Sequence, residues 1–346
     1  MQGQQKQQLE AQASRGNGKR AMLAGQRMAF TCTWVWGAAI VLTGSYTSVA
    51  VAMGREPLPE PGNHAELAHQ GREILISQNP SPQERAIALV NQGMEYIEAG
   101  SLPEAIAAFE RATQADRNFA PAYYNLGLAR RQQGDLQGAA DAFYQAVQAA
   151  PDFALAYANL GAALLEGNNQ NRAREYLERA IELEPSMGLA HYNLGLVNER
   201  LGLIAEAMNS YEQAMSRSPN APEPAYHLGL LYLQQRQNSK AKDAFKKAIA
   251  IYPDYPEANY HLGFILFNEG NLNKALDAFR RATQSNPTYA NAYYGAGLVF
   301  LRQGEYTQAA RVLEYAKNLY TQQGAPEWAQ KAGEMLTRAQ NRQGWQ

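Results

Sequence analysis

Apolar and polar residues alternate along most of the chain with the period of amphipathic helices. In one typical stretch the apolar residues Tyr123, Leu126 and Ala129 stand three residues apart, on one helical face. A second stripe of the same period lies between Gly134 and Pro151. The pattern predicts two helices joined at Gly134, since glycine readily adopts the left-handed conformation that ends a helix.

This helix pair recurs in seven units with a step of 34 residues, the separation of Gly93 and Gly127. One glycine marks the first helix of each unit: Gly93, Gly127, Gly161, Gly195, Gly229, Gly263 and Gly297. One alanine marks the second helix: Ala105, Ala139, Ala173, Ala207, Ala241, Ala275 and Ala309. These small residues predict close approach of the paired backbones, with a larger side chain such as Phe143 filling the remaining space.

The turn between the two helices is held by glycine or asparagine in most units. These residues are Gly100, Gly134, Asn168, Gly202, Gly270 and Gly304. The fifth unit has Arg236 at this position, a residue type that rarely adopts the left-handed conformation. The local pattern therefore predicts the turn of the fifth unit least well.

The 34-residue step, the Leu126-Gly127 pair, the alanine column and the aromatic position beside it resemble the tetratricopeptide repeat family. The resemblance covers residues 86–321. It implies an all-α fold, a right-handed superhelical solenoid of antiparallel helix pairs, preceded here by an N-terminal hydrophobic helix. Residues 322–346 predict a C-terminal capping helix, and residues 64–85 predict an N-terminal capping helix or a half-repeat.

The N-terminal region has a different composition. Residues 1–27 form a basic, Gln-rich tail, and residues 28–53 carry no charge. The apolar segment is long enough for a transmembrane anchor, and its basic flank predicts a cytoplasmic N-terminus. The alternative is a signal peptide cleaved near Ala52. The repeat domain would be outside the cytoplasm, membrane-anchored in the first case and secreted or periplasmic in the second. Residues 54–63 form a Pro-rich linker.

Charge and candidate chemistry restrict the function. The formal net charge of −1 argues against a nucleic-acid partner. Glycine-rich phosphate loops and His-Glu-x-x-His motifs are missing from the sequence, so we predict a protein that is not an enzyme and needs no cofactor. His227 and His261 share a column, but packed helices lie about 8–10 Å apart and metal ligands about 2 Å from the ion. No metal site is predicted.

Two neighbouring columns on the first helices are candidates for peptide binding. The polar column contains Asn91, Asn125, Asn159, Asn193, His227 and His261. The aromatic column contains Tyr124, Tyr192, Tyr226, Tyr260 and Tyr294. Amides can donate to and accept from a peptide main chain, and tyrosine adds a rigid contact surface with a polar tip. The polar column resembles the asparagine ladder of some superhelical members of the family. The alternative is that both columns only pack between repeats.

The family resemblance implies a concave groove, lined by the first helices, that binds protein segments. The leading hypothesis is therefore a non-enzymatic scaffold that holds a peptide of unknown identity and supports assembly of a membrane or envelope complex. The alternative is a self-associating structural module, and an enzyme such as a transferase comes third. Since asparagine gives way to histidine at His227, the groove should change chemical character from the fifth repeat onward.

Overall fold

The computed structural model describes residues 80–343, which form fifteen α-helices. In chain order they are α1 (Pro82–Glu98), α2 (Leu102–Ala115), α3 (Ala120–Gln133), α4 (Leu136–Ala149), α5 (Ala154–Glu166), α6 (Gln170–Leu183), α7 (Gly188–Arg200), α8 (Ile204–Arg217), α9 (Glu223–Gln234), α10 (Asn238–Ile251), α11 (Pro256–Asn268), α12 (Leu272–Ser285), α13 (Ala290–Gln303), α14 (Tyr306–Gln322) and α15 (Pro326–Gln343). The predicted tail, apolar segment and linker, and residues 64–79 of the predicted N-terminal cap, lie outside the described residues. Within residues 80–343, no helix is both long enough and apolar enough to cross a membrane.

The helices form the solenoid of antiparallel pairs that the sequence predicts. The odd-numbered helices α1 to α13 are the first helices of the seven pairs, and the even-numbered helices α2 to α14 are the second helices. Each second helix packs on its own first helix and on the first helix of the next pair. Successive first helices also contact each other, as α5 and α7 do, more closely than successive second helices. The first helices therefore line the inner, concave side.

Close approach within each pair depends on the glycine of the first helix. A β-carbon added to Gly127 would lie 2.6 Å from Cδ1 of Phe143, and one added to Gly195 would lie 2.5 Å from Cε1 of Tyr211. These distances are shorter than van der Waals contact. The alanines of the second helices are fully buried at the same interfaces: Ala105, Ala139, Ala173, Ala207, Ala241, Ala275 and Ala309.

The turn of the fifth repeat keeps the geometry of the others despite its different residue. Arg236 has φ of 60°, in the left-handed region, where the second repeat has Gly134 with φ of 89°. Its backbone N–H donates to the carbonyl of Leu233 at 2.9 Å, which closes the turn. A non-glycine residue in this conformation costs about 1–2 kcal/mol. Tertiary packing of the repeat therefore overrides the local preference of arginine.

Helix α15 covers the last pair. Its buried stripe contains Ala332, Leu336 and Ala339, which pack against α14 and α13. Its first turn places the Trp328 ring 5.9 Å from the Tyr320 ring, nearly parallel to it. The opposite face of α15 is exposed, as expected for a helix that ends a solenoid.

We expect Gly127→Ala to destabilise the protein by about 1–3 kcal/mol, because the added methyl group overpacks the contact with Phe143. Gly333→Ala is the matched control, since this helical glycine has no atom nearer than 3.8 Å to the added carbon. Alanine is the better helix former, so the control should be stabilised by about 0.5–1 kcal/mol. Urea denaturation, monitored by circular dichroism, measures the free energy of unfolding of both variants. Equal changes in the two variants would contradict the packing argument.

Candidate peptide-binding groove

The structure places most of the asparagine column inside the solenoid. The side chains of Asn125, Asn159 and Asn193 are 2%, 7% and 2% exposed. Nδ2 of Asn125 donates to the carbonyl oxygen of Pro121 at 2.8 Å, one helical turn earlier. Nδ2 of Asn159 donates to the carbonyl oxygen of Leu155 at 2.9 Å. The amides of Asn125 and Asn159 therefore have partners within their own helices.

One of these amides also connects two repeats. Nδ2 of Asn159 lies 3.3 Å from the hydroxyl oxygen of Tyr124, the aromatic residue of the preceding repeat. The two columns thus meet in the interior at this point. A role of the asparagine column in binding peptide stays a prediction, and what the geometry itself shows is packing.

The same position differs in residue type or in burial toward the ends of the array. Asn91, in the first repeat, is exposed. The His261 ring stacks on the Phe245 ring of the preceding repeat, with centroids 5.3 Å apart and planes 13° from parallel. In the seventh repeat Gly295 holds the position, and an added β-carbon would lie 2.6 Å from the Phe279 ring. The position therefore packs against the second helix of the repeat before it.

Burial changes the acid–base chemistry of this column. Loss of hydration lowers the pKa of His261 to about 4, so its imidazole is neutral at neutral pH. His227, the preceding member, lies beside a carboxylate, with Nδ1 3.4 Å from Oε2 of Glu199. The hydroxyl of Tyr211 donates to the same oxygen at 2.7 Å. Burial acts to raise the pKa of Glu199, but the contacts with His227 and Tyr211, together with the charge of Arg200, outweigh it and hold the pKa below its usual value.

The tyrosine column divides into a buried part and an accessible part. Tyr124 and Tyr192 are buried, whereas Tyr226, Tyr260 and Tyr294 keep part of their surface open. The three accessible tyrosines belong to the fifth, sixth and seventh repeats. The accessible aromatic surface of the concave side is therefore concentrated in the C-terminal half of the array.

A second aromatic layer, which sequence reasoning missed, packs against this column. Each of its members lies just before a first helix or in the cap. Tyr255 packs on Tyr226 with centroids 5.0 Å apart, and Tyr289 packs on Tyr260 at 5.5 Å. Trp328 of α15 lies 6.1 Å from Tyr294. The signal was present in the sequence as a further column with the same step: Phe153, Met187, Ala221, Tyr255 and Tyr289.

Two glutamates begin the first helices of the fifth and sixth repeats. Glu223 opens α9, and Glu257 lies in the first turn of α11. Both are half-buried, and the charge of each acts on the hydroxyl of Tyr255. Burial raises the pKa of Glu257 above its usual value. At the corresponding positions the earlier repeats have Leu155 and Leu189, so the concave surface becomes acidic at the fifth repeat.

Apolar side chains continue the same face of α11. Glu257, Tyr260, Phe264 and Phe267 follow one another at helical spacing of three or four residues. Phe264 is 44% exposed, which is unusual for so large an apolar side chain. We define the concave groove by Glu223, Tyr226, Glu257, Tyr260 and Phe264, with the second layer of Tyr255 and Tyr289. Within residues 80–343, no group of three or more His, Cys, Asp or Glu side chains is placed to hold a metal ion.

Comparison with known families identifies the repeat. A tetratricopeptide repeat family model matches residues 90–154, 155–222, 226–290 and 265–326, which together cover about two-thirds of the chain. No curated protein matches the sequence. The matched residues begin within α1 and end at the start of α15, so they span nearly the whole array.

Solved structures with the same fold come from several proteins. The pilF protein of Pseudomonas aeruginosa is 18% identical, with 61% of this chain and 96% of that chain covered and a TM-score of 0.55. A tetratricopeptide repeat protein of Parabacteroides merdae is 17% identical, with coverage of 72% and 98% and a TM-score of 0.54. YrrB, described as having an unusual peptide-binding site, is 27% identical, with coverage of 56% and 99% and a TM-score of 0.47. We draw only the fold from the pilF and Parabacteroides merdae similarities, and no argument from that with YrrB.

We expect Asn159→Ala to lower the free energy of unfolding by about 1–2 kcal/mol, because it removes a buried amide that bonds to Leu155 and Tyr124. Asn91→Ala, at the exposed end of the same column, should change it by less than about 0.5 kcal/mol. Chemical denaturation measures the free energy of unfolding of both variants and checks this difference. Equal stability of the two variants would show that the buried amide is not needed for packing and would favour a binding role.

Proposed function

The chain belongs to the tetratricopeptide repeat family, and we propose that it is a non-enzymatic scaffold that binds extended segments of a protein partner in its concave groove. The family's fold is one of protein interaction. The observation that supports the proposal most directly is the partly open aromatic face of α9, α11 and α13. Buried packing accounts for Tyr124 and Tyr192, but it leaves Phe264 44% exposed.

An extended segment suits this groove physically. Tyr226 and Tyr255 make no intrachain hydrogen bond through their hydroxyl groups in the described residues, so both can donate to a ligand's carbonyl oxygens. Burial raises the pKa of both phenols, which keeps them protonated donors throughout the physiological range. The rings offer contact area at low cost in side-chain entropy.

We further propose that the scaffold acts at a membrane or in the cell envelope and supports assembly of a complex there. This rests on the uncharged run of residues 28–53 and the basic tail before it. Alkaline extraction of cell membranes separates the possibilities. A chain that stays in the membrane pellet is anchored, a shortened chain in the soluble fraction has been cleaved near Ala52, and a full-length soluble chain contradicts both.

Site-specific photo-crosslinking tests the groove. We expect a photoreactive phenylalanine analogue at Phe264 to form crosslinks with a segment of another protein, which mass spectrometry can map. The control is the same analogue at Tyr144, a comparably exposed aromatic residue on the second helix α4. Equal crosslinking at both positions would argue against groove binding, and crosslinks to a second copy of this chain would favour self-association.

A matched pair of substitutions checks that such crosslinks report binding. Phe264→Ala should reduce crosslinking at a neighbouring groove position such as Tyr260, with a loss of stability below about 2 kcal/mol, since its side chain is 44% exposed. Tyr144→Ala should leave crosslinking at Tyr260 unchanged.

A further inference from the structure

The concave groove has an unbalanced charge in the fifth and sixth repeats. Helices α9 and α11 contain no lysine or arginine, and each carries a glutamate in its first turn. Neither Glu223 nor Glu257 forms an ion pair within the described residues. A first-turn glutamate is favourable at a helix N-terminus, which by itself explains an exposed side chain. It does not explain a carboxylate recessed among aromatic rings.

The position of Glu257 shows the difference. Burial raises its pKa, whereas Glu84, the exposed first-turn glutamate of α1, has a lowered pKa through its bonds with Ser81. Glu257 has therefore lost hydration without gaining a cation. A carboxylate in this state is stabilised by any cation that enters beside it.

The guanidinium groups of the first helices next to α9 and α11 are held elsewhere. Arg200 and Arg302 lie at the C-terminal ends of α7 and α13, away from the first turns. Nη1 of Arg200 donates to the carbonyl oxygen of Leu165 at 2.5 Å, and Nη1 of Arg302 donates to that of Phe267 at 2.9 Å. The imidazole of His261 is neutral because burial lowers its pKa to about 4. These groups do not neutralise the two glutamates.

The aromatic rings add a second, independent preference for a cation. Tyr226 and Tyr255 pack together with centroids 5.0 Å apart, and the charges of Glu223 and Glu257 act on the Tyr255 hydroxyl. The faces of tyrosine rings attract ammonium and guanidinium groups, most strongly where water is excluded. Carboxylates and ring faces thus favour the same kind of ligand.

We propose that the groove of the fifth and sixth repeats binds a basic extended segment of the protein partner, whose lysine or arginine side chains pair with Glu223 and Glu257 between the tyrosine rings. This inference rests on the proposed scaffold function and adds the chemical class of its ligand. Side chains on one face of an extended chain are about 6.6–6.8 Å apart, so residues at alternate positions of the ligand face the groove together.

Fluorescence anisotropy with defined peptides tests the proposal on the full-length chain. The probes are labelled peptides of about twelve residues in which serine alternates with lysine, asparagine or glutamate. We expect the lysine peptide to bind about tenfold more tightly than the asparagine peptide near 0.15 M salt, and the advantage to shrink as salt is added. The glutamate peptide should bind most weakly.

Charge-matched variants separate groove binding from general attraction. Glu223→Gln with Glu257→Gln should weaken lysine-peptide binding about tenfold. The control pair, Glu178→Gln with Glu182→Gln, removes the same charge from the exposed face of the second helix α6 and should change binding less than twofold. Thermal melting confirms that both pairs remain folded. Equal weakening by the two pairs would overturn the proposal.

The failure of this inference can be told apart from failure of the scaffold function. Suppose that the asparagine peptide binds as tightly as the lysine peptide and that the photoreactive analogue at position 264 crosslinks to it. The groove then binds peptides, and the preference for a basic segment is wrong. If none of the peptides binds, and Phe264 forms no crosslink to a partner in cells, both proposals are overturned. A peptide of residues 1–27 is compared with the lysine peptide as a competitor. If it competes more strongly, the ligand of the groove is this chain's own basic tail, and the proposal of a basic segment from a protein partner is overturned.

Discussion

The contact between a first-helix glycine and a large second-helix side chain determines the spacing of every helix pair. This side chain is an aromatic ring in five of the seven pairs and a leucine, Leu177 or Leu313, in the other two. At Gly127 the ring of Phe143 occupies the volume that any β-carbon would need, so the backbones approach as closely as the ring permits. Because the same contact recurs at each 34-residue step, all pairs share one geometry, and stacking them yields a regular solenoid. The concave groove is a product of this regularity, since it exists only where successive first helices are held in line.

The position two residues before that glycine accepts several types of residue. It holds asparagine in the first four repeats, histidine in the next two and glycine in the seventh. In the fifth, sixth and seventh repeats the ring of the preceding repeat packs against whichever residue is present. His261 stacks on Phe245, and Gly295 leaves its space to Phe279. A residue at this position must fit the available volume and must have its polar groups hydrogen-bonded. Several types of side chain meet both conditions. A repeated residue at such a position does not by itself identify a binding surface.

The sequence predicted the fold almost completely and the groove only in part. Helix pairs, turns and the glycine contacts follow from local periodicity and from the 34-residue step, both of which can be read from one chain. The groove depends on which face of each first helix the next repeat covers. Adjacent residues on a helix point about 100° apart, so Tyr124 and Asn125 could not both face the same surface. Tyr255 and Tyr289 were missed because they lie in the turns before first helices, where hydrophobic periodicity carries no information about direction.

Arg236 has a consequence for how the array responds to stress. A repeat in a solenoid contacts only its neighbours, so the strain of a left-handed arginine is not shared across the whole protein. The cost of this turn therefore falls on the fifth repeat and on its contacts with the fourth and sixth repeats, which must offset it locally. The repeat that carries this cost is also the one in which the concave groove first presents a glutamate, Glu223.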